Sequence, residues 1–495
     1  MYEPTFERFQ ELSQQGNMIP VYRVIMADLD TPVSAFIKLA EDDHPHAFLL
    51  ESVEQGEKLG RYSFIGVNPS HIFICRGNTL IQINGEKRIE HQLNKDKDPL
   101  TVLQQFMSRY KAVEVEGLPP FFGGLVGYLG YEMTQHFERL EFNNRDDFNV
   151  PDAVFYFADT LVIFDHFQRT MMVAANVLLN SSPEETYYDA VRRIDRVVKK
   201  LQSPLSRISF GAGLTTHSPV KTNWNKNAFL KAVEQSKEYI KAGDIYQVQV
   251  GIRSDVEITS GPLDLYRALR RINPSPYTFF FRHENLCLVG GSPEILVKMT
   301  NNQVTYRPIA GTRRRGRTEE EDHFLERELL NDAKEQAEHI MLVDLGRNDI
   351  GRVCNFHTVK VTDLMYVERY SHVMHLVSNV EGELRDDNDA YDLMRATFPA
   401  GTVTGSPKIR SMEIIEELEE TRRGPYAGAV GWFGLTGGLD FCITLRTIVV
   451  IGTRAYIQAS AGIVADSQPE LEYKEVMNKS CAMLRAVEMA ECTKD

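Results

Sequence analysis

The chain has 495 residues, of which 43% are hydrophobic and 25% are charged, a composition typical of folded globular proteins. Its formal net charge of −14 argues against a nucleic-acid-binding protein and requires any site for an anionic substrate to be locally basic. The N-terminus has no signal-peptide core, no apolar run is long enough to span a membrane, and the six cysteines have neither metal-finger nor redox spacing. We therefore expect a cytoplasmic protein of roughly three domains, with reduced cysteines and no membrane or nucleic-acid partner.

The first 202 residues are dominated by predicted strands, beginning with apolar runs such as HAFLLES. Residues 153–177 (AVFYFADTLVIFDHFQRTMMVAANV) are predicted to form a hairpin of two long strands. An amphipathic helix over residues 181–202 follows and opens at Ser182 and Pro183. Residues 203–223 are rich in Ser, Thr, Gly and Pro and lack periodicity, so we predict a linker there between parts 1–202 and 224–495.

The second part carries helices and strands in blocks. A helix that begins at Lys408 is predicted to end at Gly424, with Pro425 after it. Residues 427–462 are predicted to form a three-strand antiparallel meander with Gly-containing turns at 437–438 and 452–453. Blocks of strands and helices without strict alternation favour an α+β fold with antiparallel sheets.

A pair of carboxylates marks the stretch QASAGIVADSQPELEYKEVMNKS (residues 458–480), which reads as a strand, a turn and a helix. Glu472 and Glu475 are three residues apart on the helix, and Lys479 follows one turn later, so the three side chains share a face.

A second predicted helix repeats this spacing at Glu335 and Glu338. Two such pairs facing each other would form an oxygen cage suited to Mg²⁺. The alternative is a solvated surface, because Glu-x-x-Glu is common on exposed helices, and we interpret residues 413–423 (EIIEELEETRR) as such a surface.

Arg446 lies in the apolar run CITLRTIVV, where alternation predicts that Cys442, Thr444, Arg446 and Ile448 share one face of a strand. A buried arginine needs an anionic partner. That partner is either an internal Asp or Glu or the carboxylate of a ligand, which a guanidinium binds in a bidentate manner.

His375 and the segment FPAGTVTGSPK (residues 398–408) each have two interpretations. His375 is either a hydrogen-bonded core histidine or a proton-transfer group near neutral pH. The segment is either a loop before a helix start or an anion site made by N–H groups at that start. The basic run at residues 313–317 is interpreted as a solvated loop.

Taken together, the chain resembles the chorismate-utilising enzymes, and within them the aminase subunits of anthranilate synthases. The motifs that carry the resemblance span nearly the whole chain: LLES (49–52), NPSPY (273–277), GSPEILVK (291–298), RPIAGTRRRG (307–316), EHIMLVDLGRND (338–349), FPAGTVTGSPK (398–408), GPYAGAVG (424–431), LRT (445–447) and AGIVADSQPELEYKE (461–475).

This resemblance implies a sandwich of two large antiparallel sheets with helices outside. It also implies that the chain converts chorismate and ammonia, through aminodeoxyisochorismate, into anthranilate and pyruvate in tryptophan biosynthesis, with Mg²⁺ bound to the ring carboxylate. Residues 1–202 would then be a regulatory part and residues 224–495 the catalytic part.

Residue by residue, the resemblance implies a set of site roles. The Mg²⁺ ligands, direct or through water, would be Glu335, Glu338, Glu472 and Glu475. Substrate contacts would come from Gly311, Thr312, Tyr426, Arg446, Ser460, Ala461, Gly462 and Lys479, with Arg446 and Tyr426 on the enolpyruvyl carboxylate. The catalytic residues would be His375, which removes the C2 proton during elimination, and Thr402.

Three positions refine the resemblance. Ala310 stands where aminodeoxychorismate synthases have a nucleophilic lysine, and Gln247 stands where isochorismate synthases have a lysine that activates water. Both favour direct attack by ammonia. Ser460 departs from the glycine usual at that position.

The resemblance also implies partners and regulation. The chain has no cysteine in a glutaminase-like context, so ammonia would come from a separate glutamine amidotransferase subunit, in a heterotetramer of two of each subunit. Ser52, Pro276, Tyr277 and Thr278 match a pocket for tryptophan as feedback inhibitor. Two other hypotheses stay open: an enzyme that stops at aminodeoxyisochorismate, and a non-catalytic tryptophan-sensing subunit.

Overall fold

Two large antiparallel sheets form the centre of the protein. The computed structural model describes residues 1–40, 44–52, 60–205, 218–370 and 373–492. Numbered in chain order, the strands are β1 Met18–Met26, β2 His46–Glu51, β3 Tyr62–Val67, β4 His71–Arg76, β5 Thr79–Asn84, β6 Lys87–Gln92, β7 Gly124–Leu129, β8 Ala153–Ala158, β9 Thr160–Asp165, β10 Thr170–Leu178, β11 Lys221–Thr222, β12 Gln247–Glu257, β13 Tyr277–His283, β14 Leu286–Ser292, β15 Ile295–Thr300, β16 Gln303–Tyr306, β17 Ile309–Arg314, β18 Lys360–Arg369, β19 Val373–Glu383, β20 Gly405–Ser406, β21 Ala429–Gly434, β22 Leu439–Ile443, β23 Thr447–Ile451 and β24 Arg454–Ile463.

Helices cover the outer faces of both sheets. They are α1 Phe6–Leu12, α2 Pro32–Ala40, α3 Pro99–Met107, α4 Pro183–Leu201, α5 Lys226–Ala242, α6 Pro262–Ile272, α7 Glu319–Asn331, α8 Ala333–Gly351, α9 Ala390–Thr397, α10 Lys408–Leu418 and α11 Pro469–Cys492, with short 3₁₀ helices at Tyr131–His136 and Gly401–Val403. The sequence places several ends correctly: Ser182 caps α4, and Gly243 ends α5 with a φ of 85°.

Each sheet combines strands from both parts of the chain. Within the described residues the first sheet runs β1-β10-β9-β3-β2-β13-β14-β23-β24-β12-β11, and the second runs β17-β19-β16-β15-β22-β21-β7-β8-β4-β5-β6. Strands from the two sides of the predicted linker meet at β2–β13 in the first sheet and at β7–β21 in the second. Of the linker itself, residues 206–217 lie outside the described part of the chain.

The apolar layers explain how the sheets are held together. Phe48 and Phe281 of the first sheet pack against Tyr128 and Tyr156 of the second, and the rings of Tyr156 and Phe281 stack with centroids 4.7 Å apart. Helices α2, α4, α6 and α11 bury their apolar faces on the outside of the first sheet, and α3, α8 and α9 do so on the second. This architecture confirms the predicted α+β sandwich of two large antiparallel sheets.

Two strand predictions were wrong for the same reason. The predicted two-strand hairpin over residues 153–177 is three strands, because the chain leaves the second sheet after β8 and enters the first at β9 with only Asp159 between them. The predicted three-strand meander is four strands, because β22 lies in the second sheet and β23 in the first. Both crossings lie within largely apolar runs, with one residue between β8 and β9 and three between β22 and β23, so the sequence pattern does not reveal that the chain changes sheet.

The helix from Lys408 was predicted to end at Gly424, which was wrong, and to expose its acidic face, which was right only in part. The helix ends at Leu418. Glu419 and Arg423 then form a buried ion pair, with side-chain exposures of 4% and 1%. The run at residues 413–423 is therefore a solvated surface only in part.

None of the helices in the described ranges combines the length and the apolar character needed to cross a membrane.

Candidate functional site

The candidate site surrounds Arg446, at the point where the chain passes from the second sheet to the first. Because the strand is interrupted between β22 and β23, Arg446 does not share a strand face with Cys442 and Thr444, as alternation predicted. Its backbone has a left-handed φ of 47°, a conformation that a non-glycine residue adopts only when its surroundings enforce it.

The guanidinium of Arg446 has no charged partner in contact within the part of the chain that the structure describes. Among the described residues none forms a salt bridge or a side-chain hydrogen bond with it, and burial lowers its pKa. Tyr426, Glu475 and Glu294 are its electrostatic neighbours. A partly buried cation in this state is suited to bind a carboxylate. The structure therefore favours the interpretation that Arg446 binds the carboxylate of a ligand over the interpretation that it pairs with an internal Asp or Glu.

Glu294 is a site residue that the sequence reasoning missed. Its side chain is buried, and this burial raises its pKa to about 8, although Thr402, the backbone of Ile309, Arg446 and Lys479 partly offset the rise. A carboxyl group with this pKa carries a proton at neutral pH and can donate it. The signal was present in the motif GSPEILVK, where an acid directly precedes a strand of apolar residues.

Thr402 lies on the 3₁₀ helix beside Glu294. Its hydroxyl is buried and makes no hydrogen bond of ordinary geometry with the described residues.

In the same segment Lys408 is not available to an anion, because its ammonium nitrogen binds Asp349 Oδ2 at 2.6 Å. This buried ion pair joins the start of α10 to the end of α8.

His375 is held by β17. Its Nδ1 lies 3.0 Å from Thr312 Oγ1 and 3.1 Å from the carbonyl oxygen of Gly311. Because a carbonyl oxygen only accepts, Nδ1 carries the hydrogen and Nε2 carries the lone pair. Burial lowers the pKa of His375, so the ring is neutral at pH 7 and Nε2 can act as a base.

Gly311 has a left-handed backbone conformation that favours glycine, and it lies close to α8. Its φ is 59°, and a Cβ atom would stand 3.1 Å from Glu335 Oε2. Strand β17, which holds His375, therefore packs directly against Glu335, the first of the predicted metal ligands. His372, the other histidine of the same motif, lies outside the described residues.

The two glutamate pairs lie on α8 and α11, and Glu338 of the first pair interacts electrostatically with Glu475 of the second. Burial raises the pKa of Glu338, and the nearby Glu335 and Glu475 add to the rise. Burial likewise raises the pKa of Glu472, with Glu475 adding to it. Glu338 is thus close enough to Glu335 and Glu475 for repulsion, and so is Glu472 to Glu475. A bound cation would relieve this repulsion.

Two lysines form ion pairs with glutamates of this cluster. Lys334 Nζ lies 3.6 Å from Glu338, and Lys479 Nζ lies 2.7 Å from Glu475. Within the described ranges no three His, Cys, Asp or Glu side chains come together as ligands of one ion. The all-oxygen donor set is chemically suited to Mg²⁺, but the side chains are not arranged as a finished cage.

Strand β24 supplies the other wall of the site. On one side, Ala461 and Gly462 pair with Val250 and Gln249 of β12. On the other side, the pairing of β24 with β23 ends at Ile457, so β23 does not cover these two residues. Lys479 Nζ donates to the carbonyl oxygen of Ser460 at 2.9 Å.

Tyr426 and Ser460 contact each other instead of pointing separately into the site. The Tyr426 hydroxyl donates to Ser460 Oγ at 2.8 Å, and Ser460 Oγ donates to Gln249 Oε1 at 2.8 Å. All three side chains are buried.

The two positions that bear on the nucleophile lie on strands that contribute to this region, Ala310 on β17 and Gln247 on β12. Ala310 lies on β17 opposite Leu376. Its methyl side chain provides no amine at this position. Gln247 begins β12, and its buried Oε1 has no hydrogen-bond partner among the described residues. A Cβ atom at Gly462 would stand 2.5 Å from Gln247 Nε2, so the glycine leaves room for this amide.

The four residues predicted to bind tryptophan lie together in a separate cavity of about 240 Å³. It is lined by Leu50, Glu51, Ser52, Gly60, Arg61, Tyr62, Phe64, Pro120, Phe121, Pro276, Tyr277, Thr278, Phe279, Lys298, Val430, Gly431, Trp432, Asp440 and Cys442. At its polar end the Tyr277 hydroxyl donates to Asp440 at 2.9 Å. None of these lining residues belongs to the site around Arg446.

Comparisons with known proteins show similarity to chorismate-binding enzymes. The family model described as "chorismate binding enzyme" matches residues 45–485. A protein named anthranilate synthase component 1 from Acetivibrio thermocellus is 44% identical over 497 residues, which cover 99% of this chain and 99% of that protein. A protein of the same name from Synechocystis sp. is 44% identical over 510 residues, covering 98% and 99% of the two chains.

Solved structures are similar as well. The crystal structure of anthranilate synthase component I from Streptococcus pneumoniae superposes with a TM-score of 0.77 at 35% identity and covers 93% of this chain and 98% of that one. The menaquinone-specific isochorismate synthase from Escherichia coli superposes with a TM-score of 0.69 at 18% identity, covering 97% and 98%, and shows the fold alone.

Proposed function

The chain belongs to the chorismate-binding enzymes, and on this basis we propose that it is the aminase component of an anthranilate synthase. It would convert chorismate and ammonia into anthranilate and pyruvate through aminodeoxyisochorismate, a step of tryptophan biosynthesis, in the cytoplasm. Relatives of that name, which match almost the full length of the chain, support this choice.

The observation that carries the proposal is Arg446, which is unpaired among the described residues and interacts electrostatically with Glu294 and His375. Burial raises the pKa of Glu294 to about 8 and lowers the pKa of His375. Arg446 binds a carboxylate of chorismate. Glu294 holds a proton at neutral pH and donates it to the C4 hydroxyl as this group leaves. His375 then takes the C2 proton on Nε2, which drives the loss of pyruvate.

The choice of nucleophile follows from two residues that lack the required chemistry. Ala310 has no amine with which to attack the ring. Gln247 is not a base, so it does not activate water. Ammonia therefore adds directly at C2, and we propose that a glutamine amidotransferase subunit supplies it, in an assembly of two of each subunit.

We further propose that Mg²⁺ binds between the two pairs of glutamates, Glu335 with Glu338 and Glu472 with Glu475. When bound, it offsets the charge of the ring carboxylate and draws electrons towards C1. Lys334 and Lys479 would release their glutamates to it. The support for this site is the mutual repulsion of the carboxylates, which raises the pKa of Glu338 and Glu472 after the larger effect of burial.

The cavity at Ser52, Pro276, Tyr277 and Thr278 is proposed to bind tryptophan as feedback inhibitor. It combines aromatic walls with polar groups at one end, as an aromatic amino acid requires. Because Asp440 of β22 borders the cavity and Arg446 follows the end of β22, a ligand there can act on the site through this one strand.

One assay tests the function. The purified chain with chorismate, Mg²⁺ and ammonium should form a blue-fluorescent product with the mass of anthranilate. A product that keeps a C4 amino group or a C2 hydroxyl group would refute the proposal. A product that retains the pyruvyl group would point to an enzyme that stops at aminodeoxyisochorismate, and tryptophan binding without turnover would point to a sensing subunit.

A further inference from the structure

The hydrogen-bond chain from Tyr426 through Ser460 to Gln249 has a fixed direction. Gln249 Oε1 can only accept, so the single hydroxyl proton of Ser460 is donated to it, across 2.8 Å. Ser460 Oγ can then only accept from Tyr426, and the Tyr426 hydroxyl donates its single proton to it, also across 2.8 Å.

This direction decides whether the Tyr426 hydroxyl can donate a hydrogen bond to a ligand. Its proton points at Ser460, so the remaining part of the phenol oxygen presents lone pairs. Lone pairs repel a carboxylate, which likewise only accepts hydrogen bonds when ionised. By contrast, no side chain among the described residues accepts a hydrogen bond from the Arg446 guanidinium.

We propose that Ser460 and Gln249 are positioning residues that turn the Tyr426 hydroxyl away from the substrate carboxylate, so that Arg446 binds this carboxylate without a hydrogen bond from Tyr426. The inference rests on the family's ligand being chorismate and revises one contact expected from the sequence, which paired Tyr426 with Arg446 on the enolpyruvyl carboxylate. Ser460 acts only through Tyr426 and does not itself bind the substrate.

The local structure makes the arrangement persistent. Ser460 lies opposite Gly251 in the ladder between β24 and β12, and Gln249 lies on β12, so the two partners sit on paired strands. Arg423 fixes the same strand from behind, since it donates to the carbonyl oxygen of Gln249 at 2.9 Å. Its guanidinium also lies over the Tyr426 ring, 5.8 Å from the centroid.

Two substitutions at different residues should release the Tyr426 proton. Ser460→Ala removes the acceptor. Gln249→Leu removes the group to which Ser460 donates, so Ser460 can donate to Tyr426 and the phenol proton becomes free. A donor added to a carboxylate strengthens binding, so each variant should lower the Kd of chorismate at least about fivefold.

The experiment measures the Kd of chorismate by calorimetry with Mg²⁺ and without ammonia, in a double-mutant cycle. Each substitution is made in the Tyr426 chain and in Tyr426→Phe, and thermal unfolding checks that the variants fold. We expect tighter binding in the Tyr426 background and no change in the Phe background. In the otherwise unchanged protein, Tyr426→Phe alone should alter the Kd less than about twofold.

Two results would overturn the inference: tighter binding that persists in the Phe background, or a loss of about fivefold or more from Tyr426→Phe alone. The last test needs no change at Ser460 and stays valid if that variant does not fold. Since binding is read without turnover, a failure of this inference is distinct from a failure to form anthranilate, which the product assay reports.

Discussion

Arg423 and Glu419 form a bidentate ion pair in the interior, with Nε to Oε2 at 2.9 Å and Nη2 to Oε1 at 2.7 Å. Arg423 also donates to the carbonyl oxygens of Val403 and Gln249, at 2.8 and 2.9 Å. It thus ties the segment that carries Thr402 to the strand that carries Gln247, directly behind the site.

Breaking this pair should destabilise the protein strongly. Arg423→Met leaves Glu419 charged and buried without its partner, so we expect a loss of about 3–5 kcal/mol in the free energy of unfolding, measured with urea. The control is Arg8→Met, whose ion pair with Glu11 is exposed by 58% and 66% and should contribute no more than about 1 kcal/mol. Equal effects of the two substitutions would contradict the role given to Arg423.

Glu294→Gln should remove the acid while keeping the shape of the site. We expect kcat to fall about 10²–10⁴-fold, since proton donation to the leaving hydroxyl is lost, with little change in the Kd of chorismate. Stopped assays for anthranilate and calorimetry would measure the two quantities. A variant with normal kcat would show that another group donates the proton.

The pH dependence of kcat/KM should be bell-shaped. Catalysis needs His375 neutral and Glu294 protonated, so activity rises as pH increases through the pKa of His375, which burial holds below its usual value. Activity then falls as pH rises through about 8, the pKa of Glu294. The falling limb should be absent from the residual activity of Glu294→Gln, and its persistence there would assign it to a different group.

His375→Ala should separate the two chemical steps. The first step does not use Nε2, so aminodeoxyisochorismate should accumulate while anthranilate formation slows about 10²–10⁴-fold. Mass spectrometry of the products distinguishes the two compounds. His323→Ala, at a histidine with a 58% exposed side chain, is the control and should behave as the unchanged enzyme. Equal slowing of both steps would refute this assignment.

The carboxylate cluster predicts a graded response to Mg²⁺. Glu472→Gln should raise the Mg²⁺ concentration for half-maximal activity at least about tenfold, because a hard cation binds in proportion to the charge of its oxygen ligands. Glu470→Gln, on the same helix and 66% exposed, is the matched control and should have no effect. Calorimetric titration with Mg²⁺ gives a readout that does not depend on activity.

The position of the cavity around Ser52 predicts that tryptophan inhibition can be weakened without a change in chorismate binding. Ser52→Leu should raise the inhibition constant of tryptophan more than about tenfold by filling part of the cavity, and should leave the Kd of chorismate unchanged. The reason is that the residues lining the cavity are not those around Arg446. If the substitution weakened chorismate binding to the same degree, the cavity would have to be part of the active site.

Local patterns in the sequence were sufficient for the fold class, whereas the roles of the site residues followed from the resemblance to the chorismate-utilising enzymes and stay predictions. Period-2 runs and Gly-containing turns gave the strands, capping residues such as Ser182 and Gly243 gave helix ends, and the fold came out as expected. Ala310 and Gln247 were informative without a structure, because the absence of an amine or a base is a property of the side chain alone.

The structure decided features that depend on residues distant in the chain. A single residue, Asp159, carries the chain from one sheet to the other, and the crossing at Arg446 replaces a continuous strand, although both places lie within largely apolar runs. The proton on Glu294 depends on its burial by other segments, and the direction of the Tyr426 hydroxyl depends on two partners on β12 and β24. The sequence by itself determined which chemical groups are present and the type of fold. Only the tertiary structure decided which of those groups are charged, paired or free, because desolvation and hydrogen bonding arise from neighbours that the sequence does not place side by side.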